Sequence, residues 1–478
     1  MRKKMKRWSA IGLAAMMAVS MIGCGKETKG GAANNNWKDE RGEKIFDKYI
    51  EDEEVVDLKG YSFKIVDFDT NVWKPETVED ARSQLSVDII EDVEKTFNCK
   101  IEVEYVAPNS IFENAQPSIM SGDKYADMVG TTLWAYGPLL SGGLVADLSD
   151  IETLDLSQDH FTSEVSDMLT FGGSTYAFAA DFAAHLYSEV GVYYNSRVWK
   201  ELGLPDPYQL VRDGQWTWDK LLEYANKALA DRDGDGVVSS DTDRWGVCGG
   251  NGDMLCAMYA SMGGDIYDID ENGKVYLDCL DADSLEKIRF LYQFCQENNV
   301  LYKRGNDGYM DLFTQGNSLF MVRILTTRDE LKNMEDDFGI LPLPKWNAEQ
   351  EDYQTYVTHN AKIYCVPKTN ENTYEAGIII SALARRYQSY MDVAEDEMID
   401  IMLRFDEDEE MLTDYIWNKT RFEISDVLEK VNETLNNPRY AIYHACLDNK
   451  FSDIGSEIAS YDKAIEKILE ELLENYGK

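Results

Sequence analysis

The sequence predicts an α/β fold built on parallel strands and divided into more than one domain. Strand-like and helix-like segments alternate from residue 61 onward, the pattern of βαβ units. The chain has 478 residues, more than the ~250–300 that one hydrophobic core serves. After the first 24 residues, no stretch approaches the about 20 consecutive apolar residues that a membrane span requires.

Tyr61-Ser-Phe-Lys-Ile-Val-Asp-Phe68 reads as a buried strand. Glu79 to Phe97 carries Leu85, Ile89, Ile90, Val93 and Phe97 at helical spacing, and Ile101 to Val106 returns to a strand. Asp127-Met-Val-Gly-Thr and Gly191-Val-Tyr-Tyr-Asn195 are further strands. Ser196 caps a short helix that Gly203 and Pro205 stop. Trp218 to Asp231 is helical and leads through an Asp/Gly loop to the strand Trp245-Gly-Val-Cys248. Leu280 to Glu297 reads as one long amphipathic helix. Ser318 to Ile324 and Phe338 to Leu341 read as strands, and Ile454 to Leu472 as a final striped helix.

The N-terminus carries the localisation signal. Arg2, Lys3, Lys4, Lys6 and Arg7 precede a short apolar stretch, Ile11 to Gly23, which is the layout of a secretory leader. Met21-Ile22-Gly23-Cys24 resembles the lipobox of bacterial lipoproteins, with Met21 where the family prefers Leu. The resemblance implies a signal peptide over 1–23, lipidation of Cys24 and a location on the outer face of the cytoplasmic membrane. Residues 24–42, rich in Gly, Ala, Lys and Asn, read as a flexible tether. The formal charge is −41, and losing the five basic residues of the leader makes it more negative still. Such a charge argues against nucleic-acid and anionic-lipid partners, both of which need a basic face. The anchor is then the only membrane contact. Besides Cys24 there are seven cysteines, with no CxxC pair, and they read as small buried hydrophobes.

Six segments in order resemble the extracellular solute-binding proteins of the carbohydrate-uptake class, relatives of maltose-binding protein. They are Gly142-Gly-Leu-Val-Ala-Asp-Leu148, then Gly173-Ser-Thr-Tyr-Ala-Phe178 with Gly191 to Asn195, and Leu202-Gly-Leu-Pro205 with Trp216-Thr-Trp-Asp-Lys-Leu-Leu222. Gly316-Asn-Ser-Leu-Phe-Met321, Phe338-Gly-Ile-Leu-Pro-Leu-Pro-Lys345 and Ile363-Tyr-Cys-Val-Pro-Lys368 follow. The resemblance implies a two-lobed periplasmic-binding-protein-like fold of type II, with a ligand cleft between lobes joined by crossing hinge segments. The expected lobes are 43–179 with 356–410, and 180–355 with 411–478. It also implies a monomeric protein without catalysis that captures a sugar or oligosaccharide and delivers it to the permease of an ABC importer.

Open α/β sheets bind ligands beyond the carboxyl ends of their strands, and sugars need aromatic faces with a few convergent polar groups. Those rules select Asp69 and Trp73 after the first strand, and Thr132 and Trp134 after a later one. Asp181, Phe182 and His185 lie just past the first crossover, Asn251 follows the Trp245 strand, Arg323 ends the Met321 strand, and His359 precedes a third crossover. Trp218 is assigned to packing.

Asp231-Arg-Asp233-Gly-Asp235-Gly236-Val237 matches the opening of a calcium loop, with carboxylates at alternate positions and Gly at the sixth. A strand follows instead of a second helix, and the twelfth position is Thr242. Asp231, Asp233, Asp235, Val237 and Asp241 are the expected ligands of a structural calcium ion, the alternative being an Asp/Gly turn satisfied by its own side chains. Two other functions share these features: an exported carbohydrate-active enzyme using paired carboxylates such as Asp67 and Asp69, and a surface polysaccharide-docking protein. The sequence contains no G-x-S-x-G, H-E-x-x-H or P-loop.

Overall fold

The computed structural model describes residues 44–476, apart from 70–71, 76, 79, 184–187, 303–307, 332–333 and 449–452. The leader, the tether, Cys24 and His185 lie outside the described residues.

Strand β1 (Tyr61–Asp67) leads to helix α1 (Ala81–Thr96) and strand β2 (Cys99–Tyr105). Asp80 and Ser83 cap the start of α1 reciprocally, and Leu85, Ile89, Ile90 and Val93 bury its inner stripe. β2 pairs parallel to β1 from Tyr61↔Cys99 to Asp67↔Tyr105. The fully buried β3 (Met128–Thr132) lies on the other side of β1, also parallel. Helix α2 (Leu133–Ser141) begins directly after β3, with Thr132 as its cap.

Strand β4 (Val190–Asn195) starts a second sheet, followed by α3 (Trp218–Ala228), β5 (Trp245–Gly249), α4 (Asn251–Ser261), α5 (Ala282–Tyr292), β6 (Ser318–Ile324) and β7 (Phe338–Leu341). Strand β8 (Lys362–Cys365) then returns to the first sheet, antiparallel to β3 with Lys362 opposite Thr132. Helices α6 (Thr373–Met402), α7 (Ile424–Leu428), α8 (Asn437–Asp448) and α9 (Asp462–Glu474) complete the chain. The two sheets run β8-β3-β1-β2 and β7-β4-β6-β5, and they are the centres of two lobes.

Extended segments cross between the lobes. Thr355 and Tyr356 pair parallel with Thr420 and Arg421. Glu189 bridges Val357, and Thr358 N–H donates to the Ser188 carbonyl at 2.9 Å. Asp408, just after α6, accepts from the Tyr208 hydroxyl at 2.7 Å and the Ile340 amide at 3.0 Å, so residues around 408 sit against the second sheet.

Three elements differ from expectation. The helix expected over 280–297 is α-helical to Tyr292 and closes in a π turn, Gln293–Glu297. The final helix is two, Ile454–Ala459 and α9, parted at Ser460 and Tyr461. Residues 373–402, unassigned from sequence, form the longest helix. Ala376, Ile380, Leu383, Tyr387 and Ala394 recur there at helical spacing, but Arg386 lies fully buried among them and breaks the apolar stripe. That arginine is held by Glu53 at 2.7 Å and Asp92 at 3.0 Å. The seven cysteines of the described chain are thiols, five buried and two half-buried. No helix among the described residues is long and apolar enough to cross a membrane.

Candidate functional site

β1 and β3 end, and β8 begins, at one edge of the first sheet, because β8 runs antiparallel to its neighbour. Asp67, the last residue of β1, is fully buried there. It accepts from Trp73 Nε1 at 2.6 Å, the Tyr364 hydroxyl at 2.9 Å, and the amides of Phe68 and Asp69 at 2.6 and 3.0 Å. A buried carboxylate is costly unless it is paired and hydrogen-bonded, and Lys362 Nζ, 3.4 Å away, supplies the charge. Gly130 makes room for this arrangement: a Cβ there would stand 2.7 Å from both Asp67 Oδ2 and the Tyr364 ring. Burial and the neighbouring Asp67 charge push the Tyr364 hydroxyl well above the usual tyrosine range, so it stays protonated and donates.

Lys362 reaches from that anchor to Asp69 Oδ2 at 3.1 Å, with Phe68 beneath its ammonium at 5.0 Å. Asp69 and Lys362 line a cavity of about 490 Å³, together with Phe68, Arg82, Ser188 and Asn360. Ser188 belongs to a crossing segment, so the cavity reaches the junction of the lobes. Arg82 is paired with Glu397 at 2.8 Å. Both of the cavity's cations, Arg82 and Lys362, are thus paired within the protein, and what the cavity offers a ligand is hydrogen-bonding groups on a partly apolar floor.

Residues 78–382 match the sequence profile of bacterial extracellular solute-binding proteins. The chain belongs to that family. This solute-binding protein is similar in structure to a sugar transporter protein of Rhizobium etli in an open conformation, with 16% identity, 85% of this chain and 100% of that one covered, and a TM-score of 0.59. The cyclic α-maltosyl-1,6-maltose binding protein of Arthrobacter globiformis is similar at 12% identity, covering 86% and 99%, with a TM-score of 0.58. UgpB of Mycobacterium tuberculosis, in complex with glycerophosphocholine, is similar at 15% identity, covering 87% and 99%, with a TM-score of 0.54. At such identities the likeness establishes the two-lobed fold. No curated protein matches the chain.

The predicted ligand residues of this solute-binding protein separate into groups. Asp69 lines the cavity. Trp134 is half-exposed at the start of α2, its amide donating to the His359 carbonyl at 3.1 Å, so Trp134 and His359 adjoin at the same sheet edge. Lys430 holds its ammonium 4.4 Å from the centre of the Trp134 ring. Arg323 lies at the edge of the second sheet, paired with Asp253 at 3.2 Å, and Asn251 is the first residue of the helix that carries Asp253.

Trp73 and Phe182, expected to face ligand, do not. Both are fully buried, their rings 5.1 Å apart and packed on Tyr364 and Tyr387. They form the floor, and Trp73 acts by holding Asp67. Thr132 is engaged as a helix cap, its hydroxyl accepting from Ala135 N–H at 3.1 Å. Asp181 faces a different cavity, of about 250 Å³, beside Phe161, Glu395 and Trp417. Lys362, Arg82, Ser188 and Lys430 escaped the sequence reading. Of these only Lys362 leaves a trace, as a lysine opening an otherwise apolar strand.

In the Asp/Gly loop, Asp231, Asp233 and Asp235 each bring one carboxylate oxygen to within 4.8 Å of the other two. Asp231 also accepts from the amides of Gly234 at 2.6 Å and Gly236 at 2.8 Å. Val237 donates its amide to Asp235 at 2.9 Å. Asp241, expected to complete the set, turns instead to the Tyr302 hydroxyl at 2.8 Å. The loop is closed by Asp243, which accepts from the amides of Arg232, Ser239 and Ser240. Those donors hold its carboxyl well below the usual carboxylate range.

Proposed function

We propose that this protein captures a neutral, hydroxyl-rich solute, a sugar or oligosaccharide, in the cleft between its lobes and delivers it to an ABC importer. The observation that carries the reading is the cavity beside Asp69 and Lys362. Its two cations, Lys362 and Arg82, are already paired with carboxylates, so an anionic ligand finds no unmatched partner, whereas a polyol finds donors, acceptors and the rings of Phe68 and Tyr390. Two of the structurally similar proteins are described as a sugar transporter and a maltosyl-maltose binder, which supports the same class. Capture works by lobe closure, which requires contacts from both lobes. A ligand with equal affinity for open and closed forms shifts nothing. Arg323 and Asp253 are the contacts proposed for the second lobe.

Cys24 carries the lipid anchor that keeps the protein on the outer face of the membrane, working as a monomer beside the permease. Asp231, Asp233, Asp235 and the Val237 carbonyl hold a calcium ion that stiffens the loop. Like charges so close repel one another without a cation.

The test is a thermal-shift screen of the protein against mono- and oligosaccharides, with glycerophosphodiesters in the same panel. A saccharide that raises the melting temperature, and whose affinity falls at least tenfold in Asp69→Ala, is expected. Stabilisation by glycerophosphodiesters alone, or no stabilisation across the panel, would sink the sugar reading.

A further inference from the structure

Helix α5 ends in the π turn Gln293–Glu297, and its Cys295 is fully buried. Helix α8 packs across this turn and brings Cys446, also fully buried, against it. Gln296 Nε2, on the residue after Cys295, donates to the Cys446 carbonyl, so the turn and the helix meet at these two positions, and the two buried thiols act on each other across the junction. Cys99, Cys248 and Cys256 direct their sulfurs elsewhere, to the Val93 carbonyl, to the Tyr309 and Phe320 carbonyls, and to the Tyr443 hydroxyl.

We infer that Cys295 and Cys446 are joined by a disulfide in the exported protein. Two buried thiols on elements packed directly against each other are placed for a bond that spans about 4 Å between Cβ atoms, and proteins outside the cytoplasm meet oxidants that cytosolic proteins do not. The oxidant is a small-molecule or protein disulfide. One cysteine loses its proton and attacks it, releasing one thiol and leaving a mixed disulfide. The second cysteine then loses its proton, displaces the other thiol and closes the Cys295–Cys446 bond. Two electrons pass to the oxidant, which leaves as two thiols. The step belongs to folding: once the core has closed, the contact and burial raise the Cys446 thiol far above its ordinary range and shut it off from solvent. The bond ties α8, and the C-terminal helices that follow it, to α5, and it restricts the unfolded chain over the long loop between the two positions. The inference rests on export and is independent of the ligand.

The test uses the chain from residue 25 onward, which holds seven cysteines, refolded from the reduced state in a mixture of oxidised and reduced glutathione. The expected product is two hydrogens lighter than the reduced chain. It exposes five alkylatable thiols when unfolded without reductant and yields one cross-linked peptide pair containing Cys295 and Cys446. Dithiothreitol lowers its melting temperature by several degrees and leaves that of the Cys295→Ala/Cys446→Ala variant unchanged. Seven alkylated thiols when the refolded protein is unfolded without reductant, or a cross-link between any other pair, would overturn the inference.

Discussion

Asp67 shows how one residue sets the geometry of the site without touching a ligand. Its oxygens are held by Trp73, Tyr364 and two backbone amides, and its charge fixes Lys362, which in turn positions Asp69. The arrangement depends on the missing side chain at Gly130. Gly130→Ala is expected to destabilise the protein by about 1–3 kcal/mol, the usual cost of overpacking a tight core, and to weaken ligand binding as Lys362 shifts. Urea denaturation with a lowered midpoint and unchanged slope checks the first effect, and calorimetric titration the second. His160 makes a separate case. It is 6% exposed, its Nε2 lacks a hydrogen bond and its ring lies 4.6 Å from Phe161. Burial, with the Arg385 charge adding to it, pushes its pKa down to about 4 from an ordinary 6.5. The unfolded chain binds this proton more readily than the folded one between those values. The stability is therefore fully present above pH 6.5 and is lost as pH falls toward 4. Relative to His160→Phe, the parent should lose about 3 kcal/mol over that window, read as the pH dependence of the difference between their denaturation free energies.

Helix starts and the metal loop operate at the scale of elements. α1 and α2 both begin where a short polar residue takes the first free amides, Asp80 in one and Thr132 in the other. Thr132 is thereby diverted from the ligand role its position suggested. Capping and ligand binding want the same residue types at the same end of a strand, so strand position alone does not separate them. The loop after α3 has the same double character. Its aspartates cap their own amides, yet three of them crowd within 4.8 Å. If calcium relieves that repulsion, millimolar calcium should raise the melting temperature and chelation should lower it, with Asp233→Asn abolishing the difference. Identical melting curves with calcium and with chelator would remove the metal.

At the scale of the whole molecule, the end of the chain ties down the first lobe. The Tyr476 hydroxyl donates to the Leu140 carbonyl at 2.6 Å, Asn475 Nδ2 donates to the Ser141 carbonyl at 3.0 Å, and the Tyr476 ring lies 4.3 Å from Tyr176. These contacts satisfy carbonyls at the C-terminus of α2, whose N-terminus carries Trp134 at the sheet edge. They come from the segment after α9, a helix that pairs through Glu466 with Lys274. Tyr476→Ala should cost about 1–3 kcal/mol through the lost hydrogen bond and ring packing. It should also enlarge the radius of gyration of the ligand-free protein in X-ray scattering, because lobe opening would no longer have to break this contact. An unchanged radius would show that the contact moves with the lobe.

The sequence by itself determined the class of fold, the order of its strands and the family. Hydrophobic periodicity is written locally, and the six motifs sit on strands, on turns and on the start of α3. It also named Asp69, Trp134 and His359, which the structure brings to one end of the first sheet. Only the tertiary structure decided which side of each residue faces the cavity. Trp73 and Phe182 follow strands or crossovers as a ligand residue would, but they turn inward because Asp67, Tyr364 and Tyr387 enclose them from elements up to 314 residues away in the chain. Lys362 reaches the site because β8 enters the sheet antiparallel, a pairing that no local pattern specifies. The meeting of the Cys295 turn with the Cys446 helix was equally hidden, since it arises from the packing of α8 on α5. Local propensity sets what each segment becomes, and long-range burial sets which of its faces is left to meet a ligand.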